Sequence, residues 1–108
     1  MLKKLSIFIF LLTISLVQAQ NDKMEKGNKK YKSLAFIEAQ GIYLKLVEDG
    51  YASAEILAKL GDTYYFNDDL TKAQEWYEKL FTSYEETVNS EYFFRYAQSL
   101  KSVNKYSE

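Results

Sequence analysis

No cysteine, no histidine and no proline occur among the 108 residues, and only four are glycine. Without cysteine the chain forms no disulfide, no thiolate metal site and no lipid-modified N-terminal cysteine. Without histidine it lacks the usual general base, the common zinc ligand and the middle member of a serine triad, so we expect no enzyme: no catalytic residue, no metal and no cofactor. The glycines are isolated rather than gathered into a loop that could cradle phosphate. Absent proline and scarce glycine also argue against a loop-rich or all-β design, whereas abundant Lys, Glu, Leu, Ala and Gln favour helix. The expected fold class is all-α.

A strong charge of either sign is missing too, the formal net charge being −1. That makes nucleic acid an unexpected partner, and no small-molecule substrate is expected either. The one basic cluster, Lys23, Lys26, Lys29, Lys30 and Lys32, is interrupted by Glu25 and reads as a solvated helix face. The pair Asp68-Asp69 reads as helix-capping chemistry rather than a cation site, and Glu75 with Lys79 as an exposed i,i+4 ion pair.

The first nineteen residues, MLKKLSIFIFLLTISLVQA, have a basic start at Lys3 and Lys4, an uncharged apolar run from Leu5 to Val17 and a small-residue end at Ala19. This is the layout of a secretory signal peptide, and the run is shorter than the roughly 20 residues a spanning helix needs. Cleavage after Ala19 is expected, an uncleaved anchor being the alternative. Without Lys3 and Lys4, residues 20–108 keep 12 basic and 15 acidic residues, a net charge of −3.

The remainder repeats itself. FIEAQGIYLKLV from Phe36 aligns with LTKAQEWYEKLF from Leu70 at an offset of 34 residues, pairing Ala39 with Ala73, Tyr43 with Tyr77 and Leu46 with Leu80. Gly27 and Gly61, and Tyr31 and Tyr65, pair at the same offset, while the stretch from Tyr96 follows the one from Leu60 at an offset of 36, placing Ala97 over Gly61, Leu100 over Tyr64 and Tyr106 over Leu70. Apolar residues fall on helical stripes: Ile56, Leu57, Leu60 and Tyr64, then Leu70, Ala73, Tyr77 and Leu80. We expect helices near 22–33, 36–48, 53–66, 69–84 and 90–102, with Ser33, Ser53, Asn67 or Asp68, and Ser90 as N-caps and Gly50 as a C′ residue. The structural positions are then Gly27, Ala39, Tyr43, Leu60, Gly61, Tyr64, Ala73, Tyr77, Tyr96 and Ala97, small residues standing where helices cross and large ones interdigitating around them.

This period, with L-G-x-x-Y followed by A-x-x-x-Y, resembles the tetratricopeptide repeat, a helix-turn-helix unit that stacks into a solenoid. The resemblance implies about two and a half repeats over residues 20–108, the third interrupted after Tyr106, so that helix 90–102 keeps an open apolar flank drawn from Tyr92, Phe93, Tyr96 and Leu100 and the chain reads as the front of a longer protein. It departs from the family in lacking proline near the repeat end. Together with the leader, the segments YKSLAFIEAQGIYLKLVEDGY, KLGDTYYFNDDLTKAQEWYEKLF and EYFFRYAQSLKSVNKYSE look like the N-terminal region of OmpA-family outer-membrane proteins of flavobacterial type. That likeness implies an exported, non-catalytic scaffold on the periplasmic side of the outer membrane, binding a protein or peptide segment and reaching peptidoglycan only through a further C-terminal domain, in envelope tethering or secretion. A structural spacer and an unrelated secreted repeat protein are the alternatives. Carrying the family's groove onto this chain gives Glu55, Asp62, Tyr65, Phe66, Phe94 and Gln98 as the peptide-binding candidates, with Ala58, Glu91, Arg95 and Lys101 beside them. The aromatics among them could instead pack successive repeats together.

Overall fold

The structure, a computed structural model, describes the backbone of residues 2–84 and 89–107 and the side chains of residues 9–84 and 89–104. The side chains of Lys3, Lys4, Leu5 and Tyr106, invoked for the leader and the third repeat, lie outside the described residues. Among the described residues five helices follow one another, α1 (Leu2–Lys32), α2 (Phe36–Glu48), α3 (Ala54–Phe66), α4 (Leu70–Tyr84) and α5 (Ser90–Ser107), and no strand occurs. The all-α expectation holds, and α2, α3 and α4 fall within a residue of their expected bounds.

Two helices are longer than expected. α1 starts at Leu2 rather than near residue 22, because nothing between Leu2 and Lys32 breaks a helix: it contains no proline, and Gly27 is its one glycine. It therefore runs straight through Ala19. Ile9, Phe10, Leu11, Leu12, Ile14, Leu16 and Val17 stand exposed along its first half, and the side chains α1 lends to the core begin at Met24. No described helix is long and apolar enough to cross a membrane. α5 likewise extends to Ser107.

Successive helices pack antiparallel. Along α1 and α2 the partners separate steadily from the turn outward: the Tyr31 ring meets Phe36 edge-on, Lys30 pairs with Glu38 at 2.8 Å, Asn28 meets Tyr43 and Lys23 faces Asp49. One cluster buries Ala39, Tyr43, Leu46, Ile56 and Leu60 between α1, α2 and α3, and a second buries Leu57, Ala58 and Leu80 between α3 and α4, with Tyr92 of α5 against it. Each large side chain so buried stabilises by roughly 1.5–3 kcal/mol. α2, α3 and α4 thus hold the middle of the molecule, each packed between the helix before it and the helix after it, with α1 and α5 at the two ends.

The chain reverses by one device used three times. Leu34 and Ala35 donate backbone N–H bonds to Tyr31 and Lys30, Asp68 and Asp69 to Tyr65 and Tyr64, and Gly50 and Tyr51 to Val47 and Leu46. Each is a Schellman closure with a left-handed C′ residue: Leu34 at φ 64°, Asp68 at 66° and Gly50 at 93°. Gly50 takes its expected role. Ser53 also caps α3 as expected, its side chain accepting from the Ile56 N–H at 3.2 Å. The other caps are displaced. Asp68 is committed to the left-handed turn, so Asp69 caps α4 by accepting from Lys72 N–H; Ala35 precedes α2 without a side-chain cap while Ser33 turns back to the Lys30 carbonyl; and Asn89, not Ser90, accepts from Glu91 N–H at the start of α5. Before α2 and α4 the cap moves towards the C-terminus, from Ser33 to Ala35 and from Asp68 to Asp69, because the Schellman closure takes up the residue expected to cap.

Candidate functional site

The polar centre of the molecule grows from the residue beside each crossing glycine. Gly27 and Gly61 let a tyrosine ring from the following helix lie against the backbone; a Cβ built on Gly27 would stand 2.9 Å from Cε1 of Tyr43, and one on Gly61 would overlap the Tyr77 ring, 2.8 Å from Cζ and nearer still to Cε1 and Cδ1. That places each phenol over the next residue of the first helix. Tyr43 donates to Asn28 Oδ1 at 2.7 Å and Tyr77 donates to Asp62 Oδ1 at 2.6 Å. The two bonds are equivalent at the 34-residue offset.

A second set of bonds ties each unit to the next. Tyr31 of α1 donates to Asp62 Oδ2 of α3 at 2.6 Å, and Tyr65 of α3 donates to Gln98 Oε1 of α5. Cations run the opposite way: Lys59 Nζ donates to Asn28 Oδ1 at 2.8 Å and to Glu55, and Arg95 donates to Asp62 Oδ1 at 2.6 Å and to Glu91. Lys59 also lies over the Tyr31 ring, and Arg95 over the rings of Phe66 and Tyr92. Asn28, Asp62 and Gln98 are therefore three rungs of one ladder along α1, α3 and α5.

Asp62 is the most demanding rung, being fully buried with its carboxylate accepting three donors. A buried charge of this kind is tolerated because every oxygen is satisfied and Arg95 balances it. The surroundings respond. Burial, the Asp62 charge and its hydrogen bond push the Tyr77 phenol far above its ordinary value, burial and Asp62 do the same for Tyr31, and burial leads for Tyr43 and Tyr92. For Arg95 burial is the largest influence and acts downward, yet the bond to Asp62 and the charges of Asp62, Tyr77 and Glu91 together outweigh it and hold the guanidinium charged.

These shifts set an alkaline limit. A tyrosine whose folded value lies above its unfolded value of about 10 contributes stability that is complete below pH 10 and is lost as pH rises above it, since the unfolded chain then releases the proton first. Tyr77 alone imposes a slope of about 1.4 kcal/mol per pH unit there. Thermal melts from pH 9 to 11 should show stability falling steeply in the wild type and less steeply in Tyr77→Phe; parallel curves would remove Tyr77 as a cause.

The six groove candidates are dispersed by this arrangement. Asp62 is enclosed and saturated rather than open to a ligand, because the ring packed on Gly61 covers it from one side and Arg95 from the other. Glu55 is exposed but paired with Lys59 at 2.8 Å. Tyr65 and Gln98 bond each other, Phe66 is 46% exposed and stacked on Phe36, and Phe94 is 62% exposed. Of their neighbours, Ala58 is buried in the α3–α4 core and Glu91 is bonded to Arg95. Phe66 and Phe94 are thus the two large apolar candidates that remain open to solvent. Elsewhere, Glu75 pairs with Lys72 at 3.4 Å rather than with Lys79, whose ammonium sits 4.4 Å from the Trp76 ring centroid.

The lysines of α1 line a cleft of about 620 Å³ against α2, floored by Ile37, Gly41 and Ile42. Its charge is partly cancelled: Lys30 bonds Glu38 and holds that carboxyl below its usual range, while Lys45, assisted by Lys23, does the same for Asp49. Among the described residues no cluster of acidic side chains is placed to hold a metal ion, Asp68 and Asp69 being used in the turn. No protein-family profile, no curated protein and no solved structure matches this chain.

The ladder is what sequence reasoning missed. Its signal was present, since Asn28, Asp62 and Gln98 each follow the small residue Gly27, Gly61 or Ala97, and Lys59 and Arg95 are 36 residues apart like the third repeat. A polar residue next to a conspicuous glycine is easily taken for a solvent position.

Proposed function

We propose that the chain is a non-catalytic interaction scaffold of the tetratricopeptide class, exported and working on the periplasmic side of the outer membrane in an OmpA-type envelope protein. The observation that carries the binding part is the contrast between a fully satisfied polar ladder and two large aromatic side chains, Phe66 and Phe94, left open beside it. A satisfied network has no free valence for chemistry or for an ionic ligand, whereas exposed aromatic surface gains by being covered. The partner is therefore an apolar segment of another protein rather than a basic one, the Asp62 charge being already matched by Arg95. Phe66, with Arg95 at 5.0 Å over one side and Phe36 stacked at 5.2 Å, is a rigid anchor of the kind that dominates interfaces.

The repeated glycine–tyrosine crossings at a 34-residue spacing support the repeat class, and the apolar first half of α1, outside both core clusters, supports a removable leader. Peptidoglycan contact is assigned to none of these residues. Affinity capture from a periplasmic extract tests the reading: wild-type residues 20–108 should retain a protein that Phe66→Ala with Phe94→Ala retains at least about tenfold less. Equal capture by a normally folded double variant would reject it, and export is checked by finding Gln20 at the N-terminus of the secreted chain.

A further inference from the structure

Both complete helix pairs bury the same three side chains of the second helix and set its tyrosine against the same two residues of the first. Ala39, Tyr43 and Leu46 of α2, spaced A-x3-Y-x2-L, are fully buried with Tyr43 against Gly27 and Asn28. Ala73, Tyr77 and Leu80 of α4 repeat that spacing and burial against Gly61 and Asp62. α5 carries the receiving half again. Ala97, Gln98 and Ser99 stand 36 residues after Gly61, Asp62 and Thr63, and Ser99 is buried as Thr63 is.

That half is covered on one side only: Phe81 of α4 stacks on Phe93 at 4.1 Å and on Tyr96 at 5.2 Å, and Tyr65 of α3 bonds Gln98. Ala97 is exposed where Gly61 is buried, and Phe93 is 46% exposed where its counterpart Leu57 is 5% exposed. Phe93, Tyr96, Ala97 and Leu100 follow one another at i, i+3, i+4 and i+7, the apolar stripe onto which a second helix packs.

We infer that this stripe of α5 docks an antiparallel partner helix of the pattern A-x3-Y-x2-L, whose tyrosine lies over Ala97 and donates its hydroxyl to Gln98. The occupant is specified by chemistry as well as shape. Ala97 already has a Cβ, so the incoming ring rests farther from the backbone than Tyr77 does from Gly61; Gln98 is one methylene longer than Asp62 and reaches outward by a similar amount. Gln98 Oε1 accepts one bond from Tyr65, and an amide oxygen has a second lone pair. A helix with leucine in place of tyrosine would cover that amide without satisfying it, which is costly. This surface is separate from Phe66, and the inference does not depend on the partner proposed above.

The probe is a labelled peptide of the chain's own α4 sequence, Leu70–Tyr84, titrated onto the full chain and followed by fluorescence anisotropy. Binding should weaken about tenfold when the peptide's Tyr77 is replaced by phenylalanine, the loss of one buried hydrogen bond. It should vanish on the Ala97→Leu protein, whose exposed substitution leaves its own melting temperature unchanged. Peptide that instead displaces α4 would bind Ala97→Leu as well as wild type, and that result overturns the inference. So does no binding to wild type, or light scattering showing a dimer that Ala97→Leu dissociates and the peptide does not.

Discussion

Gly61→Ala lowers the melting temperature of this protein, although alanine for glycine inside a helix ordinarily raises it. The ordinary gain comes from reduced freedom in the unfolded chain and is about 0.5–1 kcal/mol. At Gly61 the new methyl would overlap the Tyr77 ring, which is fully buried and bonded to Asp62, so neither partner can step aside without breaking that bond. Overpacking of this sort costs about 1–3 kcal/mol, more than the gain, and each kcal/mol moves the melting temperature by roughly 4–8 °C in a domain of this size. Gly41 provides the internal control. It sits mid-helix with nothing within 4 Å of a built Cβ, so Gly41→Ala should stabilise by about 0.5–1 kcal/mol. Gly27→Ala should fall between them, its Cβ standing 2.9 Å from Tyr43 Cε1. Calorimetry of the three variants decides the matter, and a common sign for Gly41→Ala and Gly61→Ala would end the close-crossing account.

Asp62→Leu should be the most damaging single substitution. It removes the acceptor of two tyrosine hydroxyls and strands Arg95, which is mostly buried, with Glu91 as its remaining acidic partner. Breaking a buried pair from one side costs about 3–5 kcal/mol, a large share of the 5–15 kcal/mol that holds a typical domain together. Asp62→Asn separates the two things the carboxylate does. Asn28 fills the equivalent rung with a neutral amide, accepting Tyr43 and Lys59 through one oxygen. Asparagine at Asp62, with its oxygen in the Oδ1 place, should therefore keep the Tyr77 bond and lose the charge and the acceptor of Tyr31, costing about 1.5–3 kcal/mol, the strength of a hydrogen bond to a charged group. Urea unfolding of both variants reads the difference. If the asparagine variant is as unstable as the leucine one, charge balance rather than hydrogen bonding governs this rung.

The leucine result also explains why Asp62 is a poor point of attack for probing binding. A substitution there removes the fold together with any surface the fold presents. Phe66, exposed and outside the ladder, separates the two questions.

The order of the helices and the residues that meet at their crossings were legible from the chain itself. Ala39, Tyr43, Ala73 and Tyr77 are all fully buried, as their periodicity requires, because a 34-residue repeat of small and large side chains satisfies steric packing in few ways. The ends of α2, α3 and α4 were legible to within a residue, since Gly50 and Ser53 follow local rules, whereas the start of α1 and the end of α5 were not; Leu34 and Asp68 do not advertise a left-handed conformation, and the caps beside them moved accordingly. The polar centre was settled by tertiary packing alone. A charged residue on a helix reads as solvent-facing until its neighbours are known, and Asp62 is enclosed by Tyr31, Tyr77 and Arg95, which come from three other helices and lie 15 to 33 residues away. Sequence periodicity reports which face of a helix is apolar, but the energy of a buried charge depends on donors converging in space, and that convergence exists only once the helices are packed.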